Sequence, residues 1–340
     1  LRVRFMLYVT ILLGLAFAYM NGMHDGGTVI ATTITSRIIK PHRAIQFAGA
    51  ANFAGGVVMG TAVAYTISEN IVDANPILNG SDSLAYLFVS MSFLCGILWN
   101  LLTWAVKLPS SASHALIGAM MGCGISAYGW ECIQWNHIMV KVILAMLISP
   151  MVGFSAGYVF YRLEKNLLEK ATVAVSRTVI VLHKLNSFFL AFTYGSNDAQ
   201  KVMGLAAIGL APVMGHKVII PVWLIVASAA MLALGTVTGG YNMVKTVGLD
   251  ICRINMKNSF ASQLASNFVI TFANLTGLPI SATQVVTSSV MGVGSGNTPR
   301  SVNWEITKKI VFAWIITIPA TMFLGYVTVQ MVMFLENTFM

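Results

Sequence analysis

Charge is what this sequence has least of. Only 9% of its 340 residues are charged, against 57% hydrophobic, whereas soluble domains carry about 25% charged residues. A water-soluble globule is excluded, and an integral membrane protein is expected. Acid is scarcer than base, 11 residues against 20, for a net charge of +9. The basic residues fall in short links between apolar runs, where the positive-inside rule places them, and not in a nucleic-acid footprint. Cys95, Cys123, Cys132 and Cys252 form no C-x-x-C or Cys/His spacing. A zinc site or redox motif is thereby excluded, and the thiols are expected to be small packing groups. There is no nucleotide-binding glycine loop, metal-ligand spacing or nucleophile–base pair, so no enzyme is expected and no cofactor is implied. No cleavable signal peptide is expected either, because the first apolar run continues into a polar stretch at Asp25 and so belongs to the mature fold.

What is present is long apolar runs, near 5–20, 44–66, 83–106, 137–161, 179–194, 218–244, 255–276 and 306–335, of the length that crosses a bilayer. Between them lie two sizeable hydrophilic links. The link 67–82 holds Glu69, Asp73 and Asp82 without Lys or Arg, and 162–178 holds Arg162, Lys165, Lys170 and Arg177. Placing 162–178 in the cytoplasm puts Arg37, Lys40, Arg43, Lys107, Arg253, Lys257, Arg300, Lys308 and Lys309 on the same side. Arg2, Arg4, Lys141 and Lys217 then fall outside or near it.

Two polar stretches sit in this apolar background. One is Asn21-Gly22-Met23-His24-Asp25-Gly26-Gly27-Thr28; the other is Gly195-Ser196-Asn197-Asp198-Ala199-Gln200-Lys201. A charged side chain at bilayer depth costs about 2.5–3.5 kcal/mol even on mild scales, so each is a functional-site candidate. A second matched pair follows, Pro109-Ser110-Ser111-Ala112-Ser113-His114 and Pro279-Ile280-Ser281-Ala282-Thr283-Gln284. The aspartates are 173 positions apart (198 minus 25) and the prolines 170 (279 minus 109). Two motifs recurring in the same order at nearly one offset make the chain two copies of a unit. The expected organisation is a first repeat over 1–161, a basic cytoplasmic linker over 162–178, and a second repeat over 179–340. The fold class follows: an all-α polytopic membrane protein of two inverted repeats, about five membrane crossings each, with broken or hairpin half helices meeting near the bilayer midplane. The Gly-rich aspartate stretches read as breaks, since irregular backbone at that depth survives only where protein or a wet cavity satisfies it. Whether 109–129 and 279–295 cross or re-enter stays open.

The chemistry divides between the pairs. The hydroxyl clusters look like helix N-termini, whose free N–H groups, hydroxyls and dipole suit an oxyanion. The bland alternative is capping and close helix packing. Asp25 and Asp198 repel an anion and make sense if a cation is carried as well, Na⁺ or H⁺, with Asn21, Asn197, Gln200 and Gln284 as neutral oxygen donors. Asp198 pairs internally with Lys201 or leaves Lys201 to the anion; His24 and His114 are candidate proton relays or hydrogen-bonded packing residues.

Together the four stretches resemble the inorganic phosphate transporter (PiT) family, over essentially the whole chain. The resemblance implies phosphate symport driven by Na⁺ or H⁺, a lipid-embedded inverted-repeat fold, a homodimer and a place in the inner (plasma) membrane. Carried over position by position, Asp25, Asn197 and Asp198 match its Asn/Asp motif, and Ser111, Ser113, Ser281 and Thr283 match its hydroxyls beside the phosphate. Read from the residues themselves, Ser110 and Lys201 join these as expected substrate contacts, and cation coupling is expected at Asp25, Asp198, Asn21, Asn197, Gln200, Gln284 and His24, with Asp25 and Asp198 as the Na⁺ ligands if Na⁺ is the ion. This chain departs from the common Asp-x-Ala-Asn pattern: Gly26-Gly27-Thr28 follows Asp25 and His24 precedes it. Losing that asparagine oxygen favours H⁺. The rival readings are a sulfate symporter of the same fold and a passive anion channel.

Overall fold

In the computed structural model, residues 2–168, 173–244, 246–252 and 254–339 are described. They form thirteen α-helices. In chain order these are α1 (Arg2–Thr35), α2 (Pro41–Val58), α3 (Ala62–Asn70), α4 (Ala74–Leu78), α5 (Asp82–Ala105), α6 (Ala112–Tyr128) and α7 (Trp135–His137). Then follow α8 (Leu144–Leu168), α9 (Val173–Leu210), α10 (Val222–Gly239), α11 (Met256–Thr276), α12 (Ala282–Asn297) and α13 (Trp304–Phe339). Extended structure among the described residues is confined to the isolated bridges Val72–Ile133 and Cys252–Val302, one in each half.

By length and apolarity alone, Val3–Thr35, Asp82–Ala105, Val222–Gly239 and Trp304–Glu336 are able to cross a membrane. The pair α2–α3, bent by 67°, makes a fifth if counted as one span. Gly60 lies in the bend with φ +87, a conformation that favours a residue without Cβ. The remaining long helices carry buried polar side chains, which lowers their hydropathy without removing them from the interior.

One expectation changes here. The aspartate stretches are not breaks: Asp25 lies inside the unbroken α1 and Asp198 inside the unbroken α9. Their glycines serve helix contact. A Cβ at Gly27 would overlap the Gly240 carbonyl, and one at Gly195 the backbone of Asn52. Small residues let helix backbones approach where lipid supplies no hydrophobic drive. Within the segment 162–178, α8 runs on to Leu168 and α9 begins at Val173. Lys170, like Arg253, lies outside the described residues.

Packing is exchanged between the halves. α1 packs on α10 and α2 on α9; α6 packs on α13 and α12 on α8. The first helices of the two halves run antiparallel, because Thr33 meets Ser187 while Thr10 meets Gly209. At 17 and 16 residues, α6 and α12 are matched in length and fall below the roughly 20 residues of a spanning helix. Each begins in the buried centre at Ser111 or Ser281.

Candidate functional site

The site is built where the N-termini of α6 and α12 converge on α9. Ser111 caps α6, its Oγ accepting from the His114 N–H at 3.2 Å; Ser281 caps α12, accepting from the Gln284 N–H at 3.3 Å. The remaining first-turn N–H groups and the positive dipole ends lie beside them. Trp314 of α13 holds the α6 tip from two sides. Its indole N–H donates to the Pro109 carbonyl (3.1 Å), and its own carbonyl accepts from His114 Nδ1 (3.2 Å).

Lys201 ties the tips together. Its Nζ donates to Ser113 Oγ (2.6 Å) after the α6 cap, to the Ile280 carbonyl (2.8 Å) before the α12 cap, and to Asp198 Oδ1 (2.6 Å) one helical turn back. Both members of this ion pair have side chains only 2% exposed. Of the two sequence readings for Lys201, the pairing with Asp198 is the one adopted. Asn21, Asp25 and Tyr194 are electrostatic neighbours of the Asp198 carboxylate.

On the first-half side, His24 Nδ1 meets Asp25 Oδ1 at 2.6 Å and His24 Nε2 meets Thr103 Oγ1 at 2.9 Å. Ser110 Oγ donates to the same Thr103 hydroxyl at 2.9 Å, and that hydroxyl donates to the Trp99 carbonyl at 3.0 Å. His24 and Asp25 thus form a buried imidazole–carboxylate pair whose far ring nitrogen is held by the Thr103 hydroxyl. In the second half the corresponding residue, Asn197, donates through Nδ2 to Asn274 Oδ1 at 2.6 Å.

Several buried polar atoms have no hydrogen-bond partner among the described residues. They include Asn21 Oδ1, Thr28 Oγ1, Tyr194 OH, Asn197 Oδ1, Thr283 Oγ1 and Gln284 Oε1. Buried polar groups are ordinarily paired, so such a set around two dipole ends is capacity for a ligand. Gln200 is placed differently: its Oε1 accepts from the Val63 N–H (2.8 Å) at the start of α3, and its Nε2 donates to Ser196 Oγ (2.9 Å). Its oxygen thus serves the α2–α3 bend and its nitrogen the preceding turn of α9. His114 and Gln284 line an apolar cavity of about 720 Å³ between α8, α12 and α13, which Ser113 and Thr283 do not reach. The hydroxyls, Asp198 and Lys201 are sealed from it, so this conformation is closed over the site. No group of three or more His, Cys, Asp or Glu able to hold a metal occurs among the described residues.

Sequence reasoning missed Thr103, Tyr194, Asn274 and Trp314. Thr28 was visible in principle, since it occupies in the first half the place of Lys201 in the second. Trp314 carries no sequence signal at all.

Comparison with known proteins accords with this geometry. A model of the phosphate transporter family matches twice, over residues 21–184 and 168–325. A probable low-affinity inorganic phosphate transporter of Bacillus subtilis is 36% identical over 330 residues, covering 94% of this chain and 96% of that protein. A Rhizobium meliloti protein of the same description is 32% identical, covering 91% of each. Among solved structures, one described as the sodium-dependent phosphate transporter matches with TM-score 0.85 over 97% of this chain and 99% of that one; at 21% identity it establishes the fold. These relatives are described as transporters and not as enzymes. With its long apolar helices, this is a multi-pass integral protein of the plasma membrane, and it belongs to the phosphate transporter family.

Proposed function

We propose that this chain imports inorganic phosphate together with H⁺ by alternating access. One observation carries the reading: a buried lysine bridges two hydroxyl-capped helix tips beside a buried His–Asp pair 2.6 Å apart. The tips supply N–H and hydroxyl donors from Ser110, Ser111, Ser113, Ser281 and Thr283 to a tetrahedral oxyanion. Phosphate binding in this scheme draws Lys201 from Ser113 and Asp198 towards the anion, and Asn197 and Asp198 accept from its protonated oxygen. With its proton, the His24–Asp25 pair is neutral, as is the Asp198–Lys201 pair. Without it, the centre is negative and repels the substrate. Proton and phosphate therefore enter together. Two repeats, 1–161 and 179–340, of inverted topology are supported by the antiparallel α1 and α9 and by the exchanged packing of the halves. That is the architecture in which one unit rocks against the other around a midplane site.

A second reading takes Na⁺ as the coupling ion. The unpartnered Oδ1 atoms of Asn21 and Asn197, beside Asp25 and Asp198, favour it, since Na⁺ needs oxygen ligands. For the cargo, the named relatives are described as phosphate transporters and none as a sulfate transporter.

Radiolabelled phosphate uptake into proteoliposomes, with an imposed pH or Na⁺ gradient and excess sulfate, tests both choices. The expected result is accumulation that follows the pH gradient, ignores sulfate, and loses its gradient dependence in Asp25→Asn. Accumulation driven by Na⁺ alone would transfer the assignment to the second reading. Equilibration indifferent to any gradient would make the protein a channel.

A further inference from the structure

Away from the site, α9 and α11 meet along a polar seam. On one face of α9 lie His183, Asn186, Ser187, Thr193 and Asn197, exposed by 0, 8, 5, 4 and 0%. At 3.6 residues per turn these positions fall within about 120° of the helix circumference, a single stripe. Thr193 Oγ1 donates to Asn267 Oδ1 (3.0 Å), and Asn267 Nδ2 donates to Asn186 Oδ1 (2.6 Å). Ser187 Oγ donates to Gln263 Oε1 (2.9 Å), and Gln263 Nε2 reaches Thr32 Oγ1 (2.9 Å) and Thr33 Oγ1 (2.7 Å) of α1. The seam spans the fourteen residues from Asn197 at the site to His183, about 21 Å at 1.5 Å per residue.

The corresponding interface of the first half is sealed at mid-length by apolar side chains, while at its end Thr10, the counterpart of His183, meets Ser90 at 2.8 Å. At the repeat offsets, Ser187 corresponds to Gly14, Asn186 to Leu13 and Gln263 to Phe93. Phe93 fills the space a side chain at Gly14 would take, and its ring lies 5.8 Å from that of Phe17. Since α1 and α9 run antiparallel, the polar and the sealed interfaces lead from the centre towards opposite ends of the molecule.

His183 closes the polar one. Ser259 Oγ donates to the Thr32 carbonyl (2.9 Å) and meets His183 Nε2 at 3.0 Å. His183 Nδ1 has no hydrogen-bond partner among the described residues. Asn186 Nδ2 and Asn197 Oδ1 are unpartnered too. Around the ring stand Thr32 of α1, Ser259, Gln263 and Phe260 of α11, the last at 5.5 Å between ring centroids, while the neighbouring Lys184 is exposed.

We propose that His183 Nδ1 is a second proton-binding site, on the exit route of the coupling proton along the α9–α11 seam. This rests on the proton-coupled reading above. The proton given up by His24–Asp25 passes through water and hydroxyls of the opened seam to His183 Nδ1, making an imidazolium. That imidazolium then releases one proton to water at the N-terminal end of α9.

The test is His183→Gln, which keeps a donor for Ser259 and cannot take up a proton, and Gln263→Phe, which installs the first-half aromatic in the second half. In proteoliposomes containing a pH-sensitive dye, net phosphate uptake and the accompanying acidification are expected to fall by about tenfold or more, as for loss of a positioned proton-transfer group. Phosphate–phosphate exchange, which needs no proton release, should persist in His183→Gln at near the parent rate and so report an intact site. Exchange falling in step with net uptake in His183→Gln would make the residue structural, and unchanged net uptake would remove it from the route. If the parent protein itself ignores the pH gradient, the proton-coupled reading fails and this proposal with it.

Discussion

Lys201→Met isolates the interaction that joins the two halves at the site. Methionine keeps an unbranched stem but removes three donated hydrogen bonds, to Ser113, Asp198 and Ile280. It also strands the Asp198 carboxylate, 2% exposed in the pair, without its counter-charge. Breaking a buried pair by removing one partner costs about 3–5 kcal/mol, mostly the uncompensated charge. Removing both charges, in Lys201→Met with Asp198→Asn, should return most of that loss, because a buried pair replaced by neutral groups is often near neutral in stability. The thermal midpoint in detergent, followed by tryptophan fluorescence, reads both effects in a double-mutant cycle. Phosphate binding should be lost in both variants, since each lacks the ammonium. Additive destabilisation in the cycle would refute the clamp, and so would a single variant as stable as the parent.

Backbone contact at the motif glycines predicts that Gly195→Ala, whose Cβ meets the Asn52 backbone, cannot assemble normally and loses folded protein; overpacking costs about 1–3 kcal/mol, and more where backbone must move. Gly124→Ala, whose new methyl meets nothing closer than 3.4 Å, should be tolerated; equal yields by size-exclusion chromatography would dismiss the distinction. The α12 hydroxyls should separate cap from ligand. Ser281→Ala removes a cap and costs about 0.5–2 kcal/mol in stability. Thr283→Ala removes an unpartnered hydroxyl, so it should leave the melting midpoint nearly unchanged and weaken phosphate binding. Equal affinity in Thr283→Ala, measured by isothermal titration, would take that hydroxyl out of the site.

The membrane class, the two-fold repetition and the four motif stretches were legible because each rests on composition or recurrence, which folding does not alter. Helix termini at Ser111 and Ser281 were legible for a local reason: a hydroxyl three residues before a free N–H caps it wherever the helix sits. The glycines misled. Gly26-Gly27 and Gly195 read as breaks because glycine is a poor helix former in isolation. Only the neighbouring backbones at Gly240 and Asn52 make them contact residues within continuous helices.

The sequence by itself determined that polar and charged groups would be concentrated at two matched places in an apolar chain. That is a statement of cost, and cost is read from residue type. Which groups meet was decided by tertiary structure alone. Lys201 reaches Ser113 across 88 positions, and His24 reaches Thr103 across 79. Gln200, similar on paper to Asn197, is turned instead towards the α3 start. Partner choice depends on how antiparallel helices bring distant turns to one level, and no local pattern encodes that geometry.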